Sequence, residues 1–208
     1  GAADDNERGE SVVSHLIGLY VKGALTLNDE ILGRFLGAAP VASRARFIEL
    51  IGLDLMNAGG AVAAITLERL RALWETRLAA ATAGGDAAAV AELAGFAWWF
   101  SSAKFTDDWS LAQLTAVLEA GARVDPDHVV IERLVALRDQ HLPEVVRALA
   151  LLIEVTADPW FVLGAPDEIR SILSAGLASD DLDVQAAARR STSRLVARGH
   201  PTFADLLE

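Results

Sequence analysis

Asp107 and Asp108 stand near the end of the most ring-dense stretch of the chain, FAWWFSSAKFTDDW (Phe96 to Trp109), which holds six aromatic side chains in fourteen residues. Rings beside carboxylates can form a cage for a sugar, a base or a quaternary ammonium ion, with the aspartates as polar handles. The same residue types also suit a core. Phe96, Trp99, Phe100 and Ala103 recur at i, i+3, i+4 and i+7. Val90, Leu93, Ala94, Ala97 and Trp98 cover much of the remaining circumference, as in a helix buried all round. Thr106 then fits as a helix cap, and the two aspartates as first-turn acids that the helix dipole favours. The core reading is preferred, because large rings dominate protein cores.

Other groups that could do chemistry also have structural readings. DPDH (Asp125 to His128) resembles a metal site in composition, but it fits a helix start with Asp125 as cap and Pro126 in the first position. SDDLD (Ser179 to Asp183) has the acid density of magnesium-binding motifs in isoprenoid synthases, yet it too falls at an expected helix start. The four histidines, His15, His128, His141 and His200, are scattered, and His141 falls in the last turn of an expected helix. No His-Glu-x-x-His, nucleophile elbow or Gly-rich phosphate loop occurs, and there is no cysteine for a thiolate, disulfide or Cys-ligated zinc. Catalytic, cofactor-binding and metal-binding residues are therefore not assigned, and no cofactor is expected.

Two interaction candidates remain. Arg190, Arg194 and Arg198 recur at i, i+4 and i+8, with Arg189 beside them, on the side of a helix opposite the Val184, Ala188 and Leu195 stripe. They read either as a solvated basic face or as a docking ridge for an acidic partner or a phosphate-bearing ligand. DPWFVLGA (Asp158 to Ala165) reads as a loop in which Trp160 and Phe161 would form a contact patch if exposed.

The elements that must position these groups are helical. Period-2 alternation and hairpin turns are absent, whereas apolar residues recur at helical spacing throughout. Helices are expected near 11–22, 29–38, 41–58, 66–83, 86–102, 107–122, 126–141, 143–157, 166–178 and 182–198, with a last turn near 202–207. Four of six prolines (Pro40, Pro126, Pro143 and Pro166) sit where a helix should begin. From residue 86 onward, alternate helix starts fall about 40 residues apart, the period of HEAT and armadillo arrays. The expected fold is an all-α, HEAT/armadillo-like superhelix of stacked hairpins with about ten helices. Its domain covers 11–208 behind a flexible leader at 1–10, with a sub-boundary allowed near 80–86.

Net charge is −11, and residues 105–208 carry seventeen acids against nine bases. That balance repels a phosphate backbone at long range and disfavours broad nucleic-acid binding. No apolar run is long enough to span a membrane, and the polar, acidic opening GAADDNERGE is unlike a signal peptide, so a cytoplasmic protein is expected. A start at glycine rather than methionine suggests a domain of something longer.

FAWWFSSAKFTDDWSLAQLTAVL, PDHVVIERLVAL and the ending RLVARGHPTFADLL resemble an uncharacterised helical domain found at the C-terminal end of large bacterial proteins. Some of those proteins carry a sirtuin-like N-terminal domain and have suspected roles in phage defence. The resemblance covers roughly residues 90–207 and brings no functional residues with it. Together, these features predict a non-catalytic protein-interaction or sensing module of a larger bacterial protein, linked to defence. Its partner would be another protein or the rest of a longer chain. Two alternatives are a small-molecule-binding helical enzyme using the 96–109 region and a nucleic-acid-binding repeat protein using the 189–198 arginine ridge.

Overall fold

A computed structural model describes residues 36–84, 87–156 and 160–208. The expected leader, the helix expected at 11–22 and most of that expected at 29–38 lie outside the described residues; of the last, residues 36–38 are helical. Every regular element among the described residues is a helix, so the chain is all-α. No helix among them is long and apolar enough to cross a membrane. The chain divides into two compact units, one ending at Phe105 and the other running from Thr106 to Glu208.

In the first unit, α1 (Val41–Asn57) starts directly after Pro40 and buries Phe47, Ile48, Ile51, Gly52 and Leu55, which share one face. α2 (Ala64–Ala83) contributes Leu70 and Trp74 to the core. The single helix expected over 86–102 is instead three pieces: α3 (Ala87–Val90), a 3-10 segment (Ala91–Gly95) and α4 (Phe96–Ser101). An acid inside an apolar segment is buried only where cations meet it. The 3-10 segment is the place where Arg44 of α1 and Arg77 of α2 both reach Glu92.

α1 lies directly on that segment and on α4. Gly52 permits the approach: a Cβ there would fall 2.5 Å from Trp98 Cβ and 2.8 Å from Trp99 Cδ1. Gly52→Ala should therefore cost about 1–3 kcal/mol, the usual penalty for overpacking. It should lower the urea midpoint with the slope unchanged, and an unaltered midpoint would refute the tight contact. α4 ends at Ser101, and Ala103 is exposed at φ 54 instead of sharing a buried face with Phe96. The chain then brings back Lys104, whose Nζ donates to Ala58 O (2.8 Å) and Gly60 O (3.1 Å). A cation thus meets the carbonyl end of α1.

The second unit contains α5 (Asp107–Glu119), α6 (Asp127–Leu137), α7 (Leu142–Val155), the short α8 (Trp160–Gly164), α9 (Pro166–Leu177) and α10 (Leu182–Ala197). A 3-10 segment follows (Pro201–Leu207). α7 carries buried residues on two sides, Val145, Leu149 and Leu152 with Val146 and Ile153, and it packs against both α5 and α10. α6 packs against α9, and the hairpins α6–α7 and α9–α10 join the pairs. Asp181 caps α10, accepting from the N–H groups of Asp183 (2.9 Å) and Val184 (3.3 Å), which accounts for one acid of SDDLD. Gly199, at φ 93, ends the same helix, with the N–H of His200 donating to Leu195 O and its own N–H to Val196 O.

Three details differ from the sequence reading. Pro126, not Asp125, occupies the cap position of α6, because its extended ψ of 140° delays the first helical residue to Asp127. α6 stops at Leu137 and a turn follows, so His141 stands at the cap position of α7 and not in a last helical turn. Part of DPWFVLGA is helical, as α8, closed by Gly164 ahead of Pro166; the side chains of Trp160 and Phe161 lie outside the described part. At the end of the chain Phe203 is buried, with the Arg170 guanidinium 5.4 Å from its ring centre. Arg170 also donates to Asp205 at 2.8 Å, and that bond holds the Asp205 carboxyl below its ordinary value.

Candidate functional site

The rings of the 96–105 stretch make the core of the first unit. Trp74 stacks on Phe96 with centroids 4.3 Å apart and lies 5.7 Å from Trp99, which stands parallel to Phe105 at 5.9 Å. Trp99 is 0 % exposed, and its Nε1 donates to Ile48 O at 2.8 Å. Its ring therefore has no exposed face, and its one polar atom is satisfied within α1. Trp98 is half-buried.

In the second unit Asp107 and Asp108 fall in the first turn of α5, with Thr106 at the cap position. Asp107 Oδ1 receives Arg133 Nη2 at 2.5 Å, and its Oδ2 lies 3.9 Å from His141 Nε2. His141 Nδ1 is 3.6 Å from Asp108 Oδ1. Folding thus gathers α5, α6 and the start of α7 around one aspartate, a contact hidden in the sequence because 26 residues separate Asp107 from Arg133. No group of three or more metal-ligating side chains occurs among the described residues.

Glu92 is a second group that sequence reasoning missed. Its carboxylate is 0 % exposed and receives Arg44 Nε (2.6 Å), Arg77 Nε (2.6 Å) and Arg77 Nη2 (2.9 Å). One signal was available: Glu92 is the lone charged residue between Asp86 and Lys104. The triad joins α1, α2 and the 3-10 segment, and the Glu92 carboxylate is held by three arginine donors.

The expected arginine ridge lies along α10, and all four of its residues are exposed. The fold separates them by role. Arg198 donates to Ile153 O and to Thr156 O (3.1 Å), closing the carbonyl end of α7. Arg194 reaches across to pair with Glu154 of α7. Arg189 and Arg190 make no ion pair among the described residues. A groove of about 110 Å³ separates the two helices, lined by Ala150 and Glu154 from α7 and by Ala187, Arg190, Ser191 and Arg194 from α10. Chemically this is a basic cleft with one acid in it, suited to an anion and holding no nucleophile-base pair.

No family model matches the chain, and neither a curated protein nor a solved structure matches it.

Proposed function

We propose that the chain is a HEAT-like module of a larger cytoplasmic bacterial protein, serving to bind or sense a protein partner in a defence setting. The observation that carries this reading is the repeated relation of two hairpins: α6–α7 and α9–α10 stack so that α7 meets α10 and α6 meets α9. Stacked hairpins of this kind present extended surfaces and need no chemistry of their own. The spacing of helix starts at about 40 residues supports the same architecture. The resemblance of roughly residues 90–207 to a C-terminal helical domain supports placing the module in a longer protein. The contact surface is the exposed face of α10 around Arg189 and Arg190, with Trp160 and Phe161 as a second candidate. Its partner is acidic, since unpaired guanidiniums favour carboxylates and phosphates.

The test is charge reversal. Immobilised chain carrying Arg189→Glu and Arg190→Glu should lose a partner that the unaltered chain retains from lysate, with helical content unchanged. Arg123→Glu, also exposed, should keep it. Retention that survives the double reversal, or that Arg123→Glu abolishes equally, would sink the assignment of this face.

A further inference from the structure

We propose that the groove between α7 and α10 binds a phosphate monoester group. Three side chains of α10 converge there within little more than one turn: Arg190, Ser191 and Arg194. Ser191 is only 5 % exposed, yet it lines the groove and its hydroxyl has no hydrogen-bond partner among the described residues. The hydroxyl is open to the groove and not sealed from solvent, so an acceptor entering there can take its hydrogen bond in place of water. Arg190 likewise has no ion pair among the described residues.

Arg194 is already paired with Glu154, but their side chains are 44 % and 50 % exposed. Exposed pairs of this kind contribute about 0–1 kcal/mol, so a stronger anion can open this one. That competition selects the ligand. A carboxylate offers Arg194 nothing beyond what Glu154 supplies. A phosphate monoester carries about −1.5 to −2 charges at neutral pH and three strong acceptor oxygens, enough to engage both guanidiniums and the Ser191 hydroxyl together. The forked donors of arginine suit this geometry. A volume of about 110 Å³ accommodates the phosphate group and leaves the remainder of the ligand outside. Small phosphorylated metabolites and phosphorylated protein side chains share this chemistry. The site does not depend on the module reading: it stands whether or not the chain has a protein partner.

The probe is methyl phosphate, titrated into the isotope-labelled 208-residue chain at pH 7.5 while backbone amide shifts of residues 187–194 are followed. Saturable shifts are expected, with a dissociation constant on the order of 1 mM. Arg190→Ala should weaken binding about tenfold, as loss of a charge-assisted bond does. Glu154→Gln should tighten it roughly threefold by removing the competitor, a gain that a merely structural role would not give. Methyl sulfate, a monoanion, should bind at least about tenfold more weakly, because the second charge is what displaces Glu154. Arg123→Ala should change nothing. A phosphoserine peptide that binds much more tightly than methyl phosphate identifies a protein source, and equal affinity identifies a small metabolite. Absence of saturation at about ten times the expected constant overturns the site. Equal binding of methyl sulfate, or weakened binding by Glu154→Gln, overturns it as well.

Discussion

Glu92→Ala should lower the stability of the first unit by about 3–5 kcal/mol, because it leaves two largely buried guanidiniums facing no counter-charge. Arg44 and Arg77 are 14 % and 12 % exposed at the side chain and both point at the same carboxylate. Removing that carboxylate strands both. Glu92→Gln keeps the shape and one acceptor oxygen, and should cost less. Replacing all three charges together (Glu92→Leu with Arg44→Leu and Arg77→Met) should recover most of the loss, since buried ion triads contribute little net stability against apolar residues of similar size. Urea denaturation of the three proteins decides it. A Glu92→Ala midpoint close to that of the unaltered chain would show that solvent reaches the carboxylate. A triple replacement worse than Glu92→Ala would show that the triad acts beyond charge balance.

Trp99→Ala should be at least as costly, at about 3–5 kcal/mol for the cavity, with a further loss of about 1 kcal/mol for the bond to Ile48 O. Against a typical domain stability of about 5–15 kcal/mol, that is enough to leave the first unit largely unfolded at moderate temperature. Trp99→Phe should fall between Trp99→Ala and the unaltered chain, because it keeps one ring against Trp74 and Phe105 while removing the indole N–H and part of the ring volume. Near-ultraviolet circular dichroism and thermal melting read both variants. The outcome also distinguishes a core from a cage. A caging tryptophan can be truncated with the fold intact and only a ligand lost, so a well-folded Trp99→Ala protein would revive the ligand reading of the 96–109 region.

The contrast between these groups and the helix ends shows what the sequence reveals. Starts at 41, 107 and 166 are local events: Pro40 and Pro166 act on their own turn, Thr106 stands at the cap position without a side-chain cap bond, and all three are visible as residue types. The apolar residues of α7 recur at helical spacing in the sequence, and Val145, Val146, Leu149, Leu152 and Ile153 are buried as that spacing predicts. Glu92 differs because its partners are 48 and 15 residues away, and no periodicity marks an acid for the interior. The 3-10 break at Ala91–Gly95 goes with it, since propensity alone favours one continuous helix. The groove is half visible. Spacing places Arg190, Arg194 and Arg198 along one side of α10, but Glu154 merely interrupts the apolar run ALALLIEV, and nothing local says that it will face Arg194. His141 carries the same lesson, because its relation to Asp107 exists only once α5 and α7 pack together.

The clamp at the end of α1 makes the chain its own gauge of local opening. Lys22 and Lys104 are the only lysines, so amine-directed reagents have two side-chain targets. The Lys104 ammonium is engaged by Ala58 O and Gly60 O, and a bound, protonated amine does not acylate until it lets go. The rate at which Lys104 takes up an acyl group therefore counts how often the α1 end opens. Once modified, it has lost its charge and two of its three donors, so the opening it recorded cannot be reversed. Covalent acylation at this one nitrogen would convert a transient fluctuation into a lasting release of the chain after Asn57.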